Sequence, residues 1–140
     1  MSKNNISFIL HKPQLSENIG ACARAIKNFN FQKLVLINPK PIFPNDKILA
    51  TSVGAKDIIK QSKKYDNLEK AISKIDIVIA TSARFRNKNV KHINLDDLKK
   101  INFEKKIGFF DFRFLKLRLI LMFQKGDSLS LTLNLSRIAL

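Results

Sequence analysis

Four short runs of almost uninterrupted apolar residues divide the chain, at residues 6–10, 33–38, 75–80 and 106–110. Alternation would mark strands with one wet face; continuous runs of this length predict strands buried on both faces, as in a parallel sheet. Between the first two runs Ile19, Cys22, Ala23 and Ile26 recur at helical spacing. That periodicity predicts an amphipathic helix over 17–28, with Ser16 as its cap and Glu17 at its positive end. Shorter helices are expected over 67–73 and 95–100. Pro39, Pro41 and Pro44 cannot donate backbone hydrogen bonds and predict a loop after the second strand. Strands alternating with helices make the fold class α/β, a parallel Rossmann-like sheet covered on both faces. Ligands in such sheets bind outside the carboxyl ends of the strands, here Leu10-His11, Asn38-Pro39, residues 81–83 and the segment after Phe110. Neither an internal repeat nor a domain linker interrupts the pattern.

A chain of 140 residues, 45% of them hydrophobic, suffices for one domain with a real core. Its charge changes the picture more. Against 26 Lys and Arg stand 11 Asp and Glu, a net +15. A polyanionic partner follows, and RNA is the default because neutralising phosphates releases counterions. A membrane-surface protein would gather its basic residues on one amphipathic helix, whereas here they are spread along the chain, so no membrane partner is expected. A lysine-rich genome would raise the same number without any function. Cys22 is the only cysteine, which excludes an intramolecular disulfide and zinc-type spacing, and no metal is expected. Flanked by alanines on the predicted helix, it reads as a packed thiol. The first apolar run is too short for a signal peptide, which points to the cytoplasm. His11 and His92 have no carboxylate or thiol partner at a recognisable spacing and read as ordinary core or surface residues.

The first strand–helix junction carries Asn18, Gly20 and Arg24, followed by Phe29-Asn30-Phe31 and the second strand. On its own an Asn-x-Gly-x-x-x-Arg pattern is weak. Two further blocks follow in order: Ser52, Gly54, Ala55 and Asp57, then a strand ending in Thr81, Ser82, Ala83 and Arg84. Together these three blocks resemble the SpoU (TrmH-like) RNA 2′-O-ribose methyltransferases of the SPOUT class, and the TrmJ type most of all.

The resemblance implies an α/β-knot fold, S-adenosylmethionine as methyl donor, tRNA ahead of rRNA as substrate, and a homodimer where the C-terminal elements form. It puts Arg24 at the ribose 2′-hydroxyl and Asn18 at the local turn and substrate. A guanidinium is a poor base, so Arg24 would act as one only where the site favours its neutral form, or would hold phosphate while another group takes the proton. Thr81, Ser82, Ala83, Leu133 and Asn134 match segments that run past the cofactor. Arg84 and Arg86, with Phe85 between them, and Lys27 are candidate RNA contacts, the two arginines suited to phosphates and bases. A solvated basic loop is the plainer reading of residues 84–86, as an exposed helix-end arginine is of Arg24.

The resemblance covers residues 5–110 and then changes. Where the family has a Phe-Gly-x-Glu-x-x-Gly-Leu loop around the methionine end of the cofactor, residues 109–125 contain neither glycine nor glutamate. Leu131, Leu133, Asn134 and Ser136 resemble the third motif, but too close behind, so the C-terminal knot is expected to be incomplete. Residues 1–110 therefore read as the methyltransferase domain and 111–140 as a divergent tail. Freely chosen synonymous codons for residues 112–114 and 115–118 spell, in shifted frames, Phe-Gly-Ser and Ser-Glu-Ala-Ser, which suggests a frameshifted ancestral motif. Residues 109–123 are too short and too charged to span a bilayer and read instead as an exposed apolar strand. Two functions remain open: an S-adenosylmethionine-dependent tRNA or rRNA 2′-O-ribose methyltransferase, or an inactive, decayed homologue that retains RNA binding only.

Overall fold

The computed structural model describes residues 3–82, 91–111 and 118–124. After a 3-10 turn at Lys3–Asn5 the elements run β1 (Ile6–His11), α1 (Ser16–Asn28), β2 (Lys33–Ile37), α2 (Asp46–Thr51), α3 (Lys56–Gln61), β3 (Lys63–Tyr65), α4 (Leu68–Ile72), β4 (Ile77–Ser82), β5 (Lys91–Ile93), α5 (Leu95–Lys99), β6 (Ile107–Asp111) and β7 (Arg118–Gln124). They form one sheet in the order β3-β2-β1-β6-β4-β7-β5. Its first five strands are all parallel. β1 is the middle strand of these five, with Phe8 opposite Leu34 of β2 on one side and Phe109 of β6 on the other. β7 lies antiparallel to both β4 and β5.

The continuous apolar runs are buried on both faces, as their pattern predicts. On one face Leu10, Leu34 and Leu36 pack against Ile19, Ala23 and Ile26 of α1, Ile48 of α2 and Ile58 and Ile59 of α3. On the other, Ile9, Val35, Ile37 and Phe110 meet Ala71, Ile72 and Ile75 beneath α4. A third cluster joins Ile6, Ile77, Ile79 and Ile107 to Leu98, Ile101 and Phe103. Ile19 and Ile48 are wholly buried, and each such side chain contributes about 1.5–3 kcal/mol of transfer free energy.

Helix α1 ends at Phe29 in a Schellman motif. Asn30 takes φ 59°, and the amides of Asn30 and Phe31 donate to the carbonyls of Lys27 and Ile26 at 2.9 Å each. Phe31 then turns inward, its ring edge-on to Phe8 at 5.2 Å.

Several expectations need correction. Ser16 does not cap α1: it is the buried first residue of the helix, and its Oγ accepts from Asn45 Nδ2 at 2.9 Å. β4 starts at Ile77, because the amides of Asp76 and Ile77 both reach back to the Lys106 carbonyl. Helices α2 and α3 and strand β3 were not expected. α2 follows the proline-rich loop and is capped by Asn45, whose side chain accepts from the Ile48 amide at 2.9 Å. The apolar stretch expected to be an exposed strand contributes β7, whose backbone is paired on both sides, so its ladder is not an open edge. The expected incomplete knot concerns residues 125–140, which lie outside the described residues.

Candidate active site at the carboxyl ends of the strands

β1 and β2 leave the sheet through residues in the left-handed region, Lys12 at φ 48° and Asn38 at φ 44°. Each precedes a proline, which disfavours the ordinary helical conformation at that position. The amide of Lys12 donates to the Ile37 carbonyl at 2.7 Å, that of Asn38 to Tyr65 at 3.0 Å and that of Lys40 to Pro13 at 3.0 Å. The Asn38 side-chain amide also reaches the Asp66 carbonyl. Three adjacent strand ends are thereby tied into one ridge. Left-handed conformations at non-glycine residues cost about 1–3 kcal/mol and concentrate at functional sites. The Lys12-Pro13 and Asn38-Pro39 pairs were the available sequence signal for this ridge.

Helix α1 runs back from the ridge, so Asn18, in its first turn, stands near the strand ends. Arg24 is six residues further along, about 9 Å down the axis and about 120° around it, so the two side chains share a helix but not a stripe. Asn18 is half-buried and Arg24 exposed. Among the described residues neither side chain enters a hydrogen bond or ion pair. Lys27 differs: its ammonium group pairs with the Asp57 carboxylate of α3, both side chains about half exposed. The hydrogen bond from Lys27 holds the Asp57 carboxyl below the usual carboxylate range.

The remaining residues of the first two blocks build the scaffold. Gly20 is buried where α1 crosses α2, with no room for a Cβ. Ser52 is buried, and its carbonyl accepts from the Ala55 amide at 2.8 Å across a turn that Gly54 completes at φ 75°. Cys22 is half-buried against the α1 cluster. His11, at the end of β1, lies 5.6 Å from the Phe110 ring. Burial, followed by the charge of Lys12, lowers its pKa and favours neutral imidazole.

At the end of β4 the backbone of Thr81 is in register with Asp111 on one side and Leu119 on the other, and Ser82 with Arg118. Ala83, Arg84, Arg86, Leu133 and Asn134 lie outside the described residues. Of the positions the resemblance assigns to S-adenosylmethionine, only the backbone of Thr81 and Ser82 lies among the described residues. Both edges of β4 are taken by neighbouring strands, and no buried side-chain polar atom among the described residues is left waiting for a partner. Nor is any group of three His, Cys, Asp or Glu among them placed to hold a metal ion. No helix among the described residues is long and apolar enough to cross a membrane.

A doubly covered parallel sheet of five strands, with a polar ridge at its carboxyl end, defines an α/β domain of the class seen in SPOUT methylase structures. The chain belongs to the SpoU rRNA methylase family, whose profile matches residues 5–110. It is 38% identical over 89 residues to the tRNA (cytidine-2′-O-)-methyltransferase TrmJ of Methanocaldococcus jannaschii, an alignment covering 63% of this chain and 38% of that one. It is 44% identical over 83 residues to the tRNA (cytidine/uridine/adenosine-2′-O-)-methyltransferase TrmJ of Pseudomonas aeruginosa, covering 59% and 32%. In structure it resembles TrmJ from Z. mobilis, with a TM-score of 0.68 and 28% identity over 74% of this chain and 48% of that one. A probable methylase family protein from Haemophilus influenzae gives 0.66 and 29% over 81% and 47%. The chain thus spans about a third of the length of these curated relatives.

Proposed function

We propose that this chain is the RNA-engaging part of an S-adenosylmethionine-dependent RNA 2′-O-ribose methyltransferase, acting in the cytoplasm on tRNA ahead of rRNA. One observation carries the reading: in a SpoU-family domain, the Arg24 guanidinium stands exposed on α1, engaged by no described residue. A group with five donors and no acceptor in that position suits a ribose-phosphate unit. Asn18, nearer the strand ends, would orient the nucleotide, with Arg84, Arg86 and Lys27 contacting the RNA beyond it. Thr81, Ser82, Ala83, Leu133 and Asn134 remain the positions proposed for the cofactor, and a homodimer is proposed where the C-terminal elements form.

A second reading, an RNA-binding homologue without methyl transfer, is favoured by a different observation. Residues 109–125 lack the family's glycine loop, and β7 pairs along β4, with Leu119 opposite Thr81 and Arg118 opposite Ser82. Under it the tail after residue 110 is a frameshifted motif; coding DNA that holds no Phe-Gly-Ser-Glu-type reading in another frame would remove that origin.

The deciding experiment follows transfer of a labelled methyl group from S-adenosylmethionine to an unmodified tRNA transcript, with tRNA binding measured on the same samples. Transfer by the wild type that is abolished in Arg24→Ala supports the enzyme. Salt-dependent tRNA binding without transfer supports the second reading. A folded chain that neither binds nor methylates tRNA sinks both.

A further inference from the structure

We propose that the outer edge of the sheet, strand β3 with helix α3, is a docking track for the sugar-phosphate backbone of RNA, separate from the Arg24 site. The inference rests on the RNA-directed reading above and adds the surface that holds the substrate.

Among the described residues β3 is the terminal strand of the sheet and pairs only with β2. Lys63 lies opposite Val35, Lys64 opposite Leu36 and Tyr65 opposite Ile37. Val35, Ile37 and Tyr65 belong to the α4 side of the core, and Leu36 to the side covered by α1, α2 and α3. The register therefore sends Lys64 to the face that carries α3, and Lys63 to the opposite face. Lys56 and Lys60 are one turn apart on α3, with their side chains about 5–6 Å apart at Cβ. All four lysines are exposed, and together they line the edge from both faces.

Asp57 and Asp66 are the acids nearest to these lysines in sequence, and neither pairs with any of the four. Between residues 56 and 64 the only acid is Asp57, and Lys27 of α1 already engages it. Among the described residues, none of the four lysines forms an ion pair. Lys12, Lys40, Lys70, Lys74, Lys105 and Lys106 likewise form no ion pair among the described residues, whereas Lys99 pairs with Asp96 at 2.9 Å, Lys100 with Asp97 at 3.5 Å and Lys47 with Glu17 at 3.8 Å. What sets this edge apart is their density, four exposed lysines within residues 56–64.

The chemistry of the edge selects its occupant. Lysines on an edge strand repel a second strand and block sheet extension. The same lysines, beside the outward amides of an edge that no described strand pairs with, offer charge and neutral donors to phosphate oxygens. Because α3 packs with α1 in one buried cluster, through Ile58 and Ile59 against Ile19, Ala23 and Ile26, the track and Arg24 belong to one packed unit.

The test measures binding of an unmodified tRNA transcript, as a function of salt, to the full chain and to the triple variant Lys60→Gln, Lys63→Gln, Lys64→Gln. Each lost phosphate contact lowers the slope of log K against log salt by about one. The expected result is a slope smaller by about three, at least about tenfold weaker binding at physiological salt, and recovery of both in the corresponding triple arginine variant. A second variant, Lys56→Gln with Lys60→Gln, repeats the test on α3 alone, and thermal melting by circular dichroism confirms that each variant is folded. Wild-type affinity and slope in the glutamine variants, with Arg24→Ala still weakening binding, would overturn the track and leave the RNA reading standing. A wild-type chain without salt-dependent tRNA binding overturns both.

Discussion

Gly20 of α1 lies against Thr51 of α2 so closely that a Cβ on Gly20 would fall 2.0 Å from Thr51 Oγ1 and 2.9 Å from the Ile48 carbonyl oxygen. The glycine of the Asn-x-Gly-x-x-x-Arg block is thus a packing requirement. Ala is the better helix former by about 1 kcal/mol, but here that gain is outweighed, because backbone as well as side chain stands in the way. Gly20→Ala should lose about 1–3 kcal/mol in urea unfolding. Thr51→Ala in the same chain should recover only part of the loss, since the Ile48 carbonyl stays. An unchanged midpoint would mean that α1 and α2 separate freely.

Asn30 holds the left-handed position that ends α1. Asn30→Gly should match or exceed the wild type, whereas Asn30→Ala should lose about 1 kcal/mol, because its Cβ meets the carbonyl oxygen without a polar side chain in compensation. Equal stability of the two variants would contradict the assigned cap.

The Lys27–Asp57 pair gives a signed pH dependence. The folded carboxyl titrates below its ordinary range, so the contribution of the pair is present above that range and disappears as pH falls through the lowered value. Asp57→Asn should melt below the wild type at neutral pH and low salt, and the gap should close on acidification. High salt should narrow it too, since both groups are half exposed. A gap that persists at both extremes would assign the effect to something other than charge.

His11 acts at a milder pH. Its folded pKa is lowered, so the unfolded chain binds the proton more readily. Stability is therefore full above the ordinary imidazole value and falls as the solution is acidified through it, down to the lowered folded value. Urea unfolding between about pH 8 and about pH 5 should show this decline in the wild type, and less of it in His11→Gln. The same decline in both proteins would exclude His11 as its source.

The strands of the parallel core were legible because each is a compact apolar run, and α1 because thirteen residues give its period room to repeat. α2 and α3, of six residues each, went unexpected, although α4 and α5, of five each, were expected. The signals of α2 and α3 were local: the Asn45 cap and the Gly54 turn. β3 was invisible for a different reason, since Lys63, Lys64 and Tyr65 become a strand through the register of β2 and not through their own pattern. At the site, Asn18 and Arg24 were recognisable as a spacing, but only the fold separates them onto different stripes of α1 and ties Lys27 to Asp57. The left-handed turns at Lys12 and Asn38 were hidden because sequence reports the prolines that follow and not the sign of φ before them.

The position of β1 in the middle of the five parallel strands bears on how the chain is made. Its first residues leave the ribosome early, yet Ile6 and Phe8 find their inner neighbours, Ile107 and Phe109, only after about a hundred more residues are synthesised. Pairing across so long a stretch is slow, because the intervening loop must close before any contact is gained. Until then β1, β2 and β3 with α1 and α3 form a half-sheet whose open side is β1, with Ile6, Phe8, Ile9 and Leu10. A nascent chain paused before residue 107 would display that side as a sticky template, making β6 the segment whose arrival ends the exposure.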